Sequence, residues 1–365
     1  MIVFVCTADH QYTLRELLER KGSVLNGQIA LLSQDEFLHW PELPVGNYVM
    51  ADLERADPDT RQALHDRLEQ LRKALPGLRV LNDPLTSLGR IDLLTKLHGM
   101  GINSFRIFSA ETLPEDLPDQ LDPPMFVRGA EDHEGARGGL LRDKSALMAE
   151  IAALSAPPTG LEKSAIAVTE YVDVRNTAGY HEKYSVFRLG DRLFSVTYDV
   201  SHNWVNKGYE ADFVSVDYAK AEFEFVKNNP HSALLAPIFE AAGISYGRVD
   251  YAFTQDDPEQ TRPQVFEINT NPMIETPVSC RPEWAEASLL FNTLYEEAFL
   301  EWDRFAPLSE ESHRRMVRVA GARPGDPPSP FGRGRTMLRR FLRRIGRLDL
   351  ETRVMGGLLK LFKRG

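Results

Sequence analysis

The sequence predicts an α/β (α+β) chain: an N-terminal open α/β layer, then a larger body of mainly antiparallel sheet, then a basic helical tail. Strand-like and helix-like segments alternate over the first 85 residues, the apolar pattern turns to period two after about residue 165, and the charge changes sign near residue 331.

Taken in order, MIVFVC is a buried strand and not a signal peptide, since no basic lead-in precedes it and it meets an acid at Asp9. TLRELLERKG reads as a helix closed by Gly22, and GNYVMADLER as a short strand ending at an acid. In DPDTRQALHDRLEQLRKALPG, leucines at 64, 68, 71 and 75 and a cap at Asp57 or Asp59 specify a helix. LRVLNDP is a strand stopped by Pro84, which completes an N-terminal α/β domain over residues 1–85. Residues 86–165 form a first subdomain: the helix SLGRIDLLTKLHGMGIN ending at Gly101, the linker PEDLPDQLDPP, the strand MFVRG, the polar loop AEDHEGARGG and the helix KSALMAEIAALSA. Residues 166–305 form a second, with strands in SAIAVTEYVDV, EKYSVFRLGDRLFSVTYDVS, GRVDYAF and QVFEIN. Gly190-Asp191 makes the turn of a hairpin there, and WAEASLLFNTLYEEAFLEW is the closing helix. GARPGDPPSPFGRGR carries four Gly and four Pro in fifteen residues, a linker within 306–335 that leads to a tail over 336–365.

The chain has 365 residues, 42% hydrophobic and 26% charged, as an ordinary globular protein does. No apolar run approaches the roughly 20 residues that span a bilayer. Two cysteines, Cys6 and Cys280, make no disulfide framework and fit a reducing, cytoplasmic setting. The net charge of −10 conceals a split: residues 331–365 hold eleven Lys and Arg against two acids, leaving 32 basic against 51 acidic residues in the first 330. In the tail, apolar residues at 337, 338, 341, 342, 345 and 348 and arginines at 339, 340, 343, 344 and 347 make a basic amphipathic helix suited to an anionic membrane surface or a partner groove. Folding back on the acidic body, or a homodimer contact, is an equal alternative for it. The acidic body would repel phosphate and the tail has few aromatics, so no nucleic-acid partner is expected.

The chemistry concentrates in GRVDYAF and QVFEIN. If they pair antiparallel with Phe253 opposite Gln264, Asp250 faces Glu267 and Arg248 faces Asn269, all four on one side of the sheet. Two opposed acids repel and call for a cation between them, and two carboxylates with an amide oxygen suit Mg²⁺. A solvated sheet face with a chance acid pair is the competing reading of the hairpin alone.

RVDYAF followed by FEINTNP resembles the closing strands of the ATP-grasp superfamily, with an Asp on one strand and E-x-N-x-x-P on the next. The resemblance covers roughly residues 80 to 300 and implies a two-subdomain ATP-grasp fold similar to D-alanine ligase, RimK and glutathione synthetase nucleotide domains. It implies that Asp250, Glu267 and Asn269 hold Mg²⁺, or Mn²⁺ in its place, and that Arg248 steadies the reacting charge. By the same resemblance TEYVDV is the hinge strand holding adenine and ribose, through Glu170, Tyr171 and Val172. PMFVRGAEDHEG is the strand and loop over the phosphates, with Gly129 and Gly135 allowing close backbone approach and Arg128 where the family usually has Lys. Arg90 takes an earlier phosphate-binding lysine position, with Lys96 the alternative, and Lys207 and Lys183 are further phosphate contacts. Arg for Lys keeps the charge but alters the geometry. The implied activity is an ADP-forming ligase that activates a carboxylate as an acyl-phosphate for attack by an amine or thiol, with small-molecule or peptide substrates. A kinase of the same architecture and a non-catalytic nucleotide-binding module are the alternatives. Residues 273–284, with Glu275, Cys280 and Arg281, would line the acceptor pocket. No dedicated general base stands out, His133 and His202 being the nearest candidates.

Overall fold

A computed structural model describes residues 1–20, 22–131, 135–206, 216–274, 285–304 and 316–320. The predicted linker and tail, 306–335 and 336–365, fall almost wholly outside the described residues, as do His133, Lys207, Glu275, Cys280 and Arg281. Among the described residues no helix is long and apolar enough to cross a membrane.

The N-terminal layer contains β1 (Ile2–Cys6), α1 (Tyr12–Glu19), β2 (Ile29–Ser33), α2 (Gln34–His39), β3 (Glu42–Pro44), β4 (Asn47–Met50), α3 (Pro58–Ala74) and β5 (Val80–Leu81). β2, β1, β4 and β5 lie in that order in one parallel sheet. β1 is apolar at every position because helices cover both of its faces, as parallel sheets require. α1 covers one face through Leu14 and Leu17, and α2 and α3 the other through Phe37, Leu64, Leu68 and Leu71. Of the two predicted caps for α3, Asp57 is the one used, accepting from Thr60 N at 2.7 Å, with Pro58 at the first helical turn.

LRVLNDP departs from expectation. Its strand stops after Leu81, because Asn82 takes a left-handed φ of 60° before Pro84 is reached. That turn aims the Asn82 amide inward: Nδ2 donates to Met50 O and Tyr246 O, each at 2.9 Å, and Oδ1 accepts from Ser245 N and Tyr246 N at the same distance. One buried side chain thus fastens the N-terminal sheet to the body.

The body continues with α4 (Arg90–Gly99), β6 (Ile107–Ser109), β7 (Gln120–Gly129), β8 (Arg137–Asp143), α5 (Lys144–Ser155) and β9 (Ile166–Glu170). β6, β9, β7 and β8 form an antiparallel sheet in that order, backed by α5 through Leu147, Ile151 and Leu154. β7 begins at Gln120, so the end of the expected linker is strand. A second antiparallel sheet, in the order β11-β10-β12-β13, comprises β10 (His181–Leu189), β11 (Arg192–Ser201), β12 (Tyr246–Ala252) and β13 (Gln264–Asn269). Gly190, at φ 61°, opens the two-residue turn between β10 and β11, as predicted. α6 (Val216–Asn228) and α7 (Ser232–Ala242) precede β12, and α8 (Ala285–Arg304) packs Phe291, Tyr295 and Phe299 into the core shared by the N-terminal layer and the second sheet. β14 (Met316–Arg318) pairs with β3. The chain is therefore α/β, with one parallel and two main antiparallel sheets.

Candidate functional site

β12 and β13 pair antiparallel with Asp250 opposite Glu267 and Arg248 opposite Asn269, as the alternation of residues predicts. The far end differs. A bulge after Asp250 pairs Tyr251 with Val265 and Ala252 with Gln264, so Phe253 does not face Gln264. The extra residue is Phe266. A bulge turns consecutive side chains toward one side, and Phe266 and Glu267 both line the cavity while Val265 and Ile268 are buried in the core.

That cavity lies between the two antiparallel sheets and has a volume of about 360 Å³. Its lining gathers Arg90, Arg128, Glu170, Tyr171, Val172, Lys183, Arg248, Asp250, Glu267 and Asn269. These positions come from five strands, one helix and the segment after β9, so the fold unites residues up to 179 positions apart. Lys207 lies outside the described residues, directly after Asn206, which lines the cavity. Lys96 is not in the lining; its Nζ donates to Ala241 O at 2.8 Å on an exposed face. His202 is exposed, its ring edge-on to Tyr180, and it is also outside the lining. His181 is the histidine of the lining; its Nε2 meets Tyr171 Oη at 3.1 Å, and burial lowers its pKa.

The lining carries two kinds of chemistry. One is apolar: Phe105, Phe126, Val172, Val174, Trp204 and Phe266, with the Trp204 ring edge-on to Phe126 and Tyr171. A flat aromatic ligand is suited to such walls. The other pairs each facing acid with cations. Asp250 accepts from Arg248 Nε at 2.8 Å and Nη2 at 3.2 Å and from Ser185 Oγ at 2.9 Å, with Lys183 Nζ at 3.6 Å. Glu267 accepts from Arg90, and Arg128 Nη2 approaches it at 3.5 Å. The repulsion expected of opposed carboxylates is therefore answered by guanidinium and ammonium groups. Burial works against the Arg248 charge, and the Asp250, Glu267 and Asp199 carboxylates together more than offset it, raising the Arg248 pKa.

Glu170, in the lining, has a cationic partner of its own. Its carboxylate is held by Arg106, which donates from N at 2.7 Å, Nε at 2.9 Å and Nη2 at 2.5 Å, in a fork that ties β9 to the residue preceding β6. Arg106 carried no sequence signal, because an arginine at a strand entrance is ordinarily solvated.

The residues fit a hard divalent cation by donor type: Asp250, Glu267 and Asn269 bring oxygens to one sheet face. Among the described residues there is no group of three His, Cys, Asp or Glu side chains arranged for a metal, so the amide of Asn269 would complete the set. Its Oδ1 already accepts from Asn271 N at 2.8 Å and keeps a second lone pair.

Beside this cluster, Glu131 accepts from Arg90 N at 3.2 Å. Burial pushes its pKa up to about 7, with Arg90 opposing and Glu54 adding to the rise. The folded state therefore holds this proton to higher pH than the unfolded chain, and stability falls as pH rises from about 4.5 to about 7. Glu131→Gln removes that loss. The variant should melt several degrees above the wild type at pH 8 and close to it at pH 5; equal differences at both pH values would refute the assignment.

No protein-family model and no curated protein matches the sequence. Among solved structures, the chain is similar to an L-amino acid ligase from Bacillus licheniformis, at 12% identity and a TM-score of 0.37, over 80% of this chain and 73% of that one. It is also similar to a RimK domain protein ATP-grasp from Sphaerobacter thermophilus DSM 20745, at 15% identity and a TM-score of 0.41, over 80% of this chain and 98% of that one. At these identities the likeness concerns the fold alone.

Proposed function

We propose that the chain is an ATP- and magnesium-dependent ligase that activates a carboxylate as an acyl-phosphate and joins it to an amine. The observation that carries this reading is one cavity whose lining combines a set of aromatic and apolar side chains with four cationic side chains that meet two facing carboxylates. A purine suits the first set and a triphosphate the second. Arg90, Arg128, Lys183 and Arg248 now rest on Glu267 and Asp250. A triphosphate would give these cations new acceptors and release the carboxylates, which with Asn269 would hold the magnesium. The bound ion supplies charge neutralisation at the phosphoryl oxygens. Arg90 and Arg128 grip the phosphates, and Arg248 stabilises the charge that develops on the acyl group. Tyr171 and Val172 lie along the ring, whereas the Glu170 carboxylate holds Arg106 and keeps the hinge strand in place.

Mass spectrometry of products tests this reading. The full chain is incubated with ATP, Mg²⁺ and panels of carboxylates and amines. ADP release with condensation of two substrates is the expected result. A product that gains phosphate instead identifies a kinase and overturns the ligase reading.

A further inference from the structure

The sheet order of the N-terminal layer creates a topological switch point, because β2 lies on one side of β1 and β4 on the other. In open parallel sheets, ligands bind in the crevice outside the carboxyl ends of the strands at such a point. Thr7 follows β1 there, and Asp52 follows β4 with Ala51 between. Asp52 is 1% exposed and holds φ 56°, a conformation that non-glycine residues keep only when their surroundings enforce it. Its Oδ1 lies 3.0 Å from His10 Nδ1. Its Oδ2 accepts from Thr7 N at 3.0 Å, Thr7 Oγ1 at 2.7 Å and Asn271 Nδ2 at 2.9 Å.

Asn271 links this cluster to the cavity. It stands two residues beyond Asn269, accepts from Thr13 Oγ1 at 2.7 Å, and donates to His10 O at 3.4 Å. A half-buried histidine on a buried aspartate is thus fixed to the loop that leaves the strand carrying Glu267 and Asn269. A carboxylate on Nδ1 keeps the proton on that nitrogen and leaves Nε2 as the basic atom. The other groups around the pair are Asp9, whose Oδ2 is 4.0 Å from His10 Nε2, Arg55, whose Nε is 4.0 Å from Asp52 Oδ1, the Tyr12 ring, and Cys6, Arg15 and Glu36. Burial and the nearby Asp52 charge push the Cys6 thiol well up, so Cys6 stays protonated and does not compete as a base.

We infer that His10 accepts the proton of the incoming amine and that Asp52 is its positioning residue; this rests on the ligase reading above. The acceptor is an ammonium, with Asp9 supplying its countercharge. Neutral Nε2 takes one proton from R–NH₃⁺, and the freed lone pair forms the C–N bond at the acyl-phosphate carbon. The C–O bond to phosphate breaks with its electron pair on the phosphate, the second nitrogen proton passes to that leaving group, and hydrogenphosphate departs. The imidazolium returns its proton to solvent.

Hydroxylamine tests the inference, because it is uncharged near neutral pH and needs no base. Full-length wild type and His10→Asn are assayed with ATP, Mg²⁺ and a panel of amino acids, dicarboxylates and dipeptides, with hydroxylamine or an amino acid as nucleophile. Asn keeps a donor toward Asp52 while removing Nε2, and His10→Gln is run alongside in case one variant is unstable. Hydroxamate formation should stay within about twofold, while amide formation falls about 100-fold and recovers as pH rises toward the pKa of the amine. Amide formation that is unchanged, or that falls in step with hydroxamate, overturns the role of His10. Absence of hydroxamate from the wild type overturns the ligase reading, and the inference with it.

Discussion

Replacing Glu267 by glutamine should lower ATP-dependent product formation about a thousandfold, the scale of losing one preorganised electrostatic partner of a transition state. The side chain keeps its volume but loses the charge that faces Asp250 across the β12–β13 pair and that receives Arg90 and Arg128. On the proposed function two effects add. A magnesium ion would lose a carboxylate donor, and the two guanidiniums would lose the anion that sets their positions before the phosphates arrive. The loss should fall on kcat and on the affinity for ATP with Mg²⁺ together, since one carboxylate serves both. Glu240→Gln is the matched control: Glu240 is exposed and pairs with Arg188 away from the cavity, so turnover should not change. Steady-state assays of both variants decide the point, with circular dichroism to establish folding. A loss of less than tenfold in Glu267→Gln would contradict the assigned role.

The largest effect on stability is expected at Asn82. Asn82→Ala leaves two carbonyls and two N–H groups of Met50, Ser245 and Tyr246 without their side-chain partner, in the seam between the N-terminal sheet and the body. Buried groups left unsatisfied cost about 1–3 kcal/mol each, and relaxation recovers part of it, so a net loss of about 4 kcal/mol follows. For a chain of this size that lowers Tm by about 6 °C. Asn82→Gly separates the two contributions, because glycine accepts φ 60° without strain yet makes none of the four bonds. Glycine should recover about 1 kcal/mol of the loss and no more. Full recovery in Asn82→Gly would mean that backbone strain, and not the hydrogen bonds, sets the cost.

The pairing of Asp250 with Glu267 was legible because strand side chains alternate strictly and one face of each strand is apolar, so a slip by one residue would have buried every charge. The same logic failed at Phe266, since a bulge breaks the alternation without leaving a compositional mark. Of the eight residues read as catalytic or nucleotide-binding, seven line the cavity; the eighth, Lys207, lies outside the described residues. Charged groups acting through distant partners were not legible. Arg106 and Glu170 meet across 64 residues, Asp52 and Asn271 across 219, and no periodicity connects them. His10 sits in a 3₁₀ turn after β1, where the sequence offers only an unremarkable ADH. The strand IALLS and the helices over 216–228 and 232–242 also went unread, because their apolar runs are short or border polar loops that favour no single period.

The central claim, that one cavity takes a magnesium-bound nucleoside triphosphate, is tested most directly by thermal unfolding of the full chain with ATP, with and without Mg²⁺. At about 100 times its dissociation constant a ligand stabilises the folded state by roughly 2.7 kcal/mol. The expected result is an upward shift in Tm that needs ATP and Mg²⁺ together and disappears in Glu267→Gln. A shift with ATP alone that Mg²⁺ does not increase, or no shift with any purine nucleotide, would contradict it.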